Sequence, residues 1–439
     1  MDAKRQAATE IVRRLRTAGF QAYWVGGCVR DLVMGRAPAD FDITTDATPA
    51  EVTRLFPQSL TVGAQFGVVI VTQPEGDFEV ATFRSDGRYT DGRHPAEVRY
   101  TRTPAADVGR RDFTINGLLY DPLEDQVLDY VGGQADIRAR CVRTIGDPFE
   151  RFHEDHLRML RAVRLAARFL FTPDRALVEA IRKLAPLVRD VSAERIRGEI
   201  VKILTEGQAR RGFEWLDETG LLQEVLPEVK ALQGVEQPPE FHPEGDVWTH
   251  TLLMLAGLRA PTPTLALGVL LHDVGKPPTF SRRERIRFDN HVEIGARMAE
   301  EICTRLRLSL RETARVVELV RQHLRFKDFP RMRRATQLRF LRLEGFEEHL
   351  ELHRLDCLAS HGDLSTYELV KRTLEETPVE EIKPAPLLRG DDLIARGYKP
   401  GPLFKEMLQV IEDAQLEGRI HTPTQALQLL TELFPLPTP

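Results

Sequence analysis

Residues 25–31 read Val-Gly-Gly-Cys-Val-Arg-Asp and directly follow a short apolar run, residues 22–25, that predicts a buried strand. Because Gly26 and Gly27 carry no side chain, the backbone can turn tightly there and bring its N–H groups close to an anion. Arg30 adds a fixed positive charge with several donors. Together these residues predict a binding site for a triphosphate.

A pair of carboxylates comes next, in the segment Asp-Phe-Asp-Ile-Thr-Thr at residues 40–45. Side chains two residues apart on a strand point to the same face, so we expect Asp40 and Asp42 to converge. Mg²⁺ prefers carboxylate and phosphate oxygens as ligands. Alone, paired glycines usually mark a turn and an Asp-x-Asp segment is usually solvated. In combination they indicate metal-assisted phosphoryl or nucleotidyl transfer.

The surrounding sequence predicts one mixed sheet with a helix before it. A helix over residues 3–18 has apolar positions at helical spacing, and strands are expected within residues 61–71 and 77–83. Glu79 lies on the second of these strands and is either a third metal carboxylate or an ordinary edge residue. Residues 84–95, rich in Gly, Asp and charge, predict a loop.

Arginines are concentrated after the sheet. Residues 110–116 read Arg-Arg-Asp-Phe-Thr-Ile-Asn, with the charged residues at an expected helix start, and residues 154–158 read Glu-Asp-His-Leu-Arg within a segment from Phe152 to Phe171. On a helix, four arginines share one arc and a set of apolar side chains covers the other: Arg158, Arg161, Arg164 and Arg168 against Met159, Leu160, Val163, Ala166, Ala167 and Leu170. Such an arc is either solvated or binds an anion, and we expect phosphate or nucleobase binding.

The charge distribution is compatible with a nucleic-acid partner. Residues 136–211 contain 17 Lys and Arg but 11 Asp and Glu, whereas the whole chain has a net charge of −5. Arg195, Arg197 and Lys202 fall on a predicted helix within residues 192–204. This helix is either an RNA-binding surface or an ordinary amphipathic one.

A second set of chemically active residues lies beyond a Pro-rich boundary at residues 237–243. Imidazole nitrogens and carboxylate oxygens form the mixed ligand set that transition metals bind. A single histidine on an apolar helix is usually a core residue, but this set in this order predicts a metal centre with room for two ions: His250, His272, Asp273, His291, His323 and Asp356.

The first group of motifs resembles the signature of the DNA polymerase beta nucleotidyltransferase superfamily. Its form here is similar to the branch of bacterial CCA-adding tRNA nucleotidyltransferases and poly(A) polymerases. The resemblance implies that Asp40 and Asp42 hold Mg²⁺, with Asp112 near the metal or the ribose. It also implies that the remaining motif residues bind the nucleotide: Gly26, Gly27, Arg30, Arg111, Asp155, Arg158, Arg161 and Arg164.

Within this resemblance, Asp155 and Arg158 hydrogen-bond the incoming base in place of a template. A carboxylate acceptor and a guanidinium donor can pair with the edge that cytosine and adenine share. The histidine set resembles the HD-superfamily phosphohydrolases, in which some domains bind metal and others are only structural.

The resemblance implies an α/β catalytic head with a small mixed sheet, followed by all-helical domains. We expect the head at residues 1–135, a helical neck at 136–235, an HD domain at 236–375 and a helical tail at 376–439. With 42% hydrophobic residues and no apolar run near the roughly 18 residues of a membrane span, the sequence predicts a cytoplasmic protein without a membrane partner. Its four cysteines lack metal-ligand spacing, and the sequence does not indicate an oligomeric state.

The function that this reading predicts is template-independent addition of CMP and AMP, from CTP and ATP, to the 3′ end of tRNA. Addition of A only or CC only, and poly(A) synthesis, are the alternatives within the same family. Within the resemblance, the loop at residues 84–95 is similar to one implied in the switch to ATP addition, which argues against a CC-only enzyme. Residues 62–68 look like the CCA-adding form and lack the basic run typical of bacterial poly(A) polymerases. The HD domain either carries a phosphohydrolase activity, as a second or as the principal activity of the protein, or is an inert scaffold that orients RNA.

Overall fold

The computed structural model describes residues 3–60, 67–86, 98–240, 242–282 and 284–435. The chain divides into two compact units. The first comprises residues 1–231, 258–266 and 302–308, and the second comprises the remaining residues.

The first unit is built on a seven-stranded mixed sheet in the order β3-β4-β5-β2-β1-β8-β9. β2 and β5 are parallel, and the other pairs are antiparallel. β6 and β7 form a separate antiparallel pair. The strands are β1 Ala22–Val25, β2 Asp42–Thr45, β3 Ser59–Leu60, β4 Val68–Gln73, β5 Gly76–Thr82, β6 Arg84–Asp86, β7 Val98–Tyr100, β8 Leu118–Asp121 and β9 Gln126–Asp129.

Burial alternates along these strands, which explains why they form. In β5 the side chains of Phe78, Val80 and Thr82 are buried, whereas Asp77 and Glu79 are exposed. The predicted strand at residues 22–25 is confirmed. Of the predicted strand at residues 61–71, residues 61–66 lie outside the described residues. In the described part, Gly67 is in a turn and β4 begins at Val68.

Among the described residues, five helices and one 3₁₀ turn, Thr114–Asn116, accompany the sheet. α1 confirms the predicted first helix, and its buried side chains include Ala8, Ile11, Val12 and Leu15. The expected helix start at Asp112 is wrong, because the chain forms only the 3₁₀ turn before β8. The helices are α1 Ala3–Thr17, α2 Gly27–Val33, α3 Pro49–Leu55, α4 Pro104–Gly109 and α5 Gly133–Ala139.

Helices then follow to the end of the first unit's main segment. The arginine-rich segment is not one helix from Phe152: α6 ends at Glu154, Asp155 is extended, and α7 begins at Arg158. The elements are α6 Pro148–Glu154, α7 Arg158–Phe169, α8 Arg175–Leu184, a 3₁₀ helix Ala185–Asp190, α9 Ala193–Thr205, α10 Ala209–Glu218, α11 Leu221–Val225 and α12 Pro227–Lys230, with strands β10 Cys141–Val142 and β11 Thr172–Pro173.

In the described part of the remaining chain, the regular structure is helical apart from one hairpin, β12 Phe280–Arg282 and β13 Ile286–Phe288. An aromatic cluster that includes Phe326, Phe329 and Phe340 forms part of the core of the second unit. The helices are α13 Val247–Gly257, α14 Pro263–Leu271, α15 Lys276–Thr279, α16 His291–Arg305, α17 Leu310–Gln322, a 3₁₀ helix His323–Arg331, α18 Arg334–Leu341, α19 Phe346–Ala359, α20 Ser365–Glu376, α21 Val379–Ile382, α22 Gly390–Ala395, α23 Pro402–Leu416 and α24 Pro423–Leu433.

The predicted fold class, an α/β head followed by all-helical regions, is therefore confirmed. Over the described ranges, the helices are too short or too polar to cross a membrane.

Candidate active site and candidate metal centre

A cavity of about 400 Å³ in the first unit brings the predicted nucleotide-binding residues together. Eight arginines and three aspartates line it, so its charged lining favours a polyanion. The arginines are Arg30, Arg110, Arg111, Arg158, Arg161, Arg164, Arg168 and Arg195, and the aspartates are Asp42, Asp112 and Asp155.

The paired glycines and Arg30 form one wall of this cavity. Gly26 has a φ of +78°, which favours glycine, and α2 begins at the next residue. The Arg30 guanidinium is buried, donates to Asn116 Oδ1 at 2.6 Å and to Asp31 Oδ1 at 2.9 Å, and stacks on Phe169 with its Cζ atom 4.4 Å from the ring centre. These contacts fix its direction before any ligand arrives.

The predicted carboxylate pair is only partly on a strand. β2 begins at Asp42, which pairs with Val25 of β1, so the placement of Asp40 on the strand is wrong. The alternation nevertheless extends to Asp40, because Phe41 is buried while both aspartates are exposed. The Asp40 side chain is 85% exposed, and Lys4 Nζ lies 3.5 Å from its Oδ1 atom.

Glu79 on β5 is the carboxylate that acts most strongly on Asp42. The strands β2 and β5 are neighbours, with Ile43 opposite Val80. Although Asp42 is exposed as a residue, its side chain lines the cavity, and the resulting desolvation together with the charge of Glu79 raises its pKa to about 6, with a smaller contribution from Asp40 and an opposing one from Arg111. Repulsion between carboxylates indicates a site that favours a cation.

The Asp112 carboxylate is already paired with groups of the protein. Its Oδ2 atom accepts from Arg161 Nε at 2.9 Å, and its Oδ1 atom accepts from Asn116 Nδ2 at 3.2 Å and from the Phe113 backbone N–H at 2.8 Å. Burial opposes ionisation, but the Arg161 charge and these hydrogen bonds lower the pKa of Asp112 to about 2. Asp112 therefore lines the cavity as the partner of an arginine, and Glu79 is the better candidate for a third metal carboxylate.

The arginine face of α7 is neither simply solvated nor left for an external anion to neutralise. Each arginine already has a carboxylate of the same chain beside it: Arg158 pairs with Glu154, Arg161 with Asp112, Arg164 with Glu199 at 2.6 Å and Arg168 with Glu206 at 3.2 Å. Arg158 and Arg164 are buried, and Leu170, expected on the packed face, is 57% exposed because α7 ends before it.

The two predicted base-reading residues lie on either side of the break between α6 and α7. Asp155 Oδ2 accepts from Arg195 Nη2 at 2.7 Å, and its Oδ1 atom accepts from the Leu157 backbone N–H at 3.1 Å. Arg158 Nη1 donates to the Arg151 carbonyl at 2.9 Å. Both side chains line the cavity in fixed orientations.

Some supporting residues were missed by sequence reasoning. Asp107 on α4 is fully buried and accepts from Arg110 Nη2 at 2.6 Å and from Arg111 Nη2 at 3.0 Å. Its spacing of three and four residues from these arginines on one helical turn was the available signal. Asn116, which joins Arg30 to Asp112, had no comparable signal.

The predicted histidines and aspartates of the second unit also come together. His272, His291 and His323 each have Nδ1 2.7–2.8 Å from the backbone carbonyl oxygen three residues earlier. A carbonyl can only accept, so Nδ1 carries the proton and Nε2 keeps a lone pair. The Nε2 atoms of these three and of His250 are buried, and no described residue hydrogen-bonds them.

Two aspartates face these nitrogen atoms. Asp273 lies 3.1, 3.8 and 3.9 Å from the Nε2 atoms of His272, His323 and His291, and Asp356 lies 3.2 Å from that of His250. Burial opposes ionisation of Asp273, but neighbouring positive charge, including that of Lys276 at 2.7 Å, holds its pKa well below the usual range. Converging lone pairs with no hydrogen between them fit a divalent transition metal.

Within the described ranges, the groups of three or more potential ligands whose atoms lie within 4.8 Å of one another are all in the second unit. The centre opens onto a cavity of about 470 Å³ that is also lined by Lys276, Phe288 and Lys327. Glu244, which sequence reasoning missed, contacts His250 Nδ1 at 2.7 Å.

Comparison with known proteins agrees with this arrangement. Residues 22–143 match the model of the poly A polymerase head domain, residues 170–233 match the probable RNA and SrmB-binding site of polymerase A, and residues 247–358 match the HD domain. The CCA-adding enzyme of Bacillus cytotoxicus is 30% identical over 428 residues, 96% of each chain. This chain belongs to the CCA-adding enzyme family.

Other CCA-adding enzymes resemble parts or all of the chain. The CCA-adding enzyme of Bacillus licheniformis is 43% identical over 218 residues, 50% of this chain and 55% of that enzyme. This alignment therefore spans about half the length of that relative, whereas the alignment with the Bacillus cytotoxicus enzyme spans nearly all of both chains. The crystal structure of the Bacillus stearothermophilus CCA-adding enzyme in complex with CTP has a TM-score of 0.74 at 27% identity, covering 99% of this chain and 98% of that one.

Proposed function

We propose that this protein adds CMP and AMP, from CTP and ATP, to the 3′ end of tRNA without a template. The observation that carries the proposal is the cavity of the first unit, where an arginine-rich lining meets Asp42 and its neighbouring carboxylate Glu79. The relatives named CCA-adding enzymes, one of them crystallised with CTP, support the choice of reaction.

The residues present fit a magnesium ion, because Asp42 and Glu79 repel each other and carboxylate oxygens are its preferred ligands. Asp40, Asp42 and Glu79 would hold Mg²⁺, which would supply positive charge at the phosphates and orient the attacking oxygen. The chain itself binds the triphosphate through Arg30, Arg111 and the backbone at residues 26–27.

In the proposed reaction the tRNA 3′ oxygen forms a bond to the α-phosphorus while the bond to the leaving pyrophosphate oxygen breaks. The 3′ hydroxyl loses its proton to solvent water as it attacks. Arg30 and Arg111 stabilise the charge that develops on pyrophosphate, because both guanidinium groups are already oriented, Arg30 by Asn116 and Arg111 by Asp107. Asp155 and Arg158 select the base.

The decisive experiment supplies tRNA that lacks CCA, ends in C, ends in CC, or is complete, with each nucleotide offered separately. Two additions of C followed by one of A, and none to complete tRNA, are expected. Addition of only one nucleotide type, or continued addition of A, would instead establish an A-only or CC-only enzyme or a poly(A) polymerase. The segments that favour CCA addition, at residues 62–68 and 84–95, fall mostly outside the described residues.

A second proposed function is metal-dependent phosphohydrolysis at the centre of the second unit. The observation that favours it is the set of four buried Nε2 atoms facing Asp273 and Asp356. His250, His272, Asp273 and Asp356 would hold one ion, and His291 and His323 would complete a second site with Asp273. Elemental analysis together with phosphatase assays on nucleotides and cyclic phosphates tests it; a protein that binds no transition metal would support the scaffold alternative.

A further inference from the structure

We propose that Glu244 is a positioning residue for the metal centre: it fixes which nitrogen of His250 carries the proton and strengthens His250 as a ligand. The proposal rests on the second proposed function, since it assigns a residue to that centre. The four histidines of the centre differ in the group that contacts Nδ1. His272, His291 and His323 are each held through Nδ1 by a backbone carbonyl.

His250 is held by a carboxylate instead. Its Nδ1 atom lies 2.7 Å from Glu244 Oε1, and the same oxygen lies 2.9 Å from His242 Nδ1. The carbonyl of Val247, three residues before His250, accepts from the Thr251 hydroxyl at 2.8 Å. The Glu244 side chain is 7% exposed, and its Oε2 atom is buried with no hydrogen-bond partner among the described residues.

The backbone just before α13 directs Glu244 toward His250. Gly245 has a φ of +125°, a conformation that side-chain-bearing residues rarely adopt. The next residue, Asp246, accepts from the Thr249 backbone N–H at 2.8 Å and from the Gly234 backbone N–H at 2.7 Å. Asp246 therefore ties this segment to residue 234 and to the first turn of α13, which holds Glu244 beside His250.

A carboxylate does more than a carbonyl in this position. An ionised carboxylate can only accept, so the neutral imidazole of His250, the form that binds a metal, carries its proton on Nδ1 and presents its Nε2 lone pair to the centre, where that atom is 3.2 Å from Asp356 Oδ1. The negative charge also raises the basicity of the imidazole, and loss of such outer partners typically weakens metal binding about 10- to 100-fold.

The test measures the dissociation constant for Co²⁺ with the full-length protein, by calorimetry and by the visible spectrum of the bound ion. We expect Glu244→Ala to weaken binding about 10- to 100-fold. We expect Glu244→Gln to restore part of this loss, because its amide oxygen accepts the same hydrogen bond without the charge. Glu236→Gln, at an exposed position that pairs with Arg282, is the matched control and should bind like the wild type.

Nucleotide addition, which we assign to the first unit, should be unchanged in all three variants, and thermal unfolding followed by circular dichroism reports whether the second unit of each is folded. A folded Glu244→Ala protein that binds Co²⁺ within about twofold of the wild type would overturn the role of Glu244 and leave the metal centre standing. Wild-type protein that binds no Co²⁺ would overturn both.

Discussion

Asp155 is held at two points, which makes its substitution a sharp test of how the base is chosen. Arg195 occupies one carboxylate oxygen and the Leu157 backbone N–H the other. Each oxygen has a further lone pair, so Asp155 can still accept from the exocyclic amine of cytosine or adenine. Uracil and guanine present a carbonyl there, which a carboxylate repels.

Asp155→Asn keeps the size of the side chain and replaces one acceptor oxygen with a donating amide. A hydrogen bond to a charged group is worth about 1.5–3 kcal/mol, and about 1.4 kcal/mol corresponds to a factor of ten. We therefore expect kcat/KM for CTP and ATP to fall by about 10- to 100-fold relative to UTP and GTP. Arg195→Met, which removes one of the two contacts that orient the Asp155 carboxylate, should change the ratio in the same direction by a smaller factor.

The assay determines kcat/KM for all four nucleotides on one tRNA primer. Lys202→Ala is the control, because Lys202 is an exposed cation on α9, the helix that carries Arg195. It removes a positive charge without touching Asp155 and should leave the nucleotide ratio unchanged. An unchanged ratio in Asp155→Asn would refute selection by this residue, and an equal fall for all four nucleotides would assign it to triphosphate binding.

Asp42→Asn should abolish nucleotide addition, and it should raise the melting temperature at about pH 8 but not at about pH 3.5. Because the pKa of Asp42 is raised to about 6, ionising this carboxyl lowers the stability of the folded state. The loss of stability grows between the ordinary pKa of aspartate and pH 6 and is constant at higher pH. An unchanged or lower melting temperature of Asp42→Asn at pH 8 would contradict this. Arg161→Met should destabilise the first unit by about 3 kcal/mol in urea unfolding, because it leaves the Asp112 carboxylate buried without its partner, and adding Asp112→Asn should recover most of the loss. Strictly additive losses would show that the two side chains do not interact. The double variant His272→Ala with Asp273→Ala should lose bound transition metal and phosphatase activity and keep nucleotide addition; a folded protein that loses addition as well would refute two independent sites.

Local sequence patterns predicted much of the first unit. The strand at residues 22–25 and the first helix were expected from the pattern of apolar residues, and a helix was expected within residues 192–204, where α9 lies. All three agree with the structure to within one or two residues. These patterns involve residues that are close together in the sequence, so they can be recognised without knowledge of the tertiary contacts. The start of β2 could not be predicted in the same way, because it is set by pairing with Val25.

The partners of the charged residues were the part that sequence could not predict. Arg161 and Asp112 are 49 residues apart, and Arg164 and Glu199 are 35 apart, so neither pair leaves a local signal. The histidines of the metal centre were recognisable because only a few residue types bind metal ions. Their second contacts, such as that of His250 with Glu244, depend on a turn whose geometry the sequence marks only by Gly245.

The pairing pattern of the first unit explains how its cavity can bind a metal-bound triphosphate. The arginines of α7 already have carboxylate partners, which fixes their direction and lowers the cost of burying their charge. Asp42 and Glu79 are in the opposite situation, since no described residue donates a hydrogen bond to either carboxylate and each raises the other's electrostatic cost. Fixed cations stabilise an anion as it arrives, whereas repelling anions gain most from a cation. A ligand that carries both, a nucleoside triphosphate with its divalent ion, therefore satisfies both sides of the cavity at once.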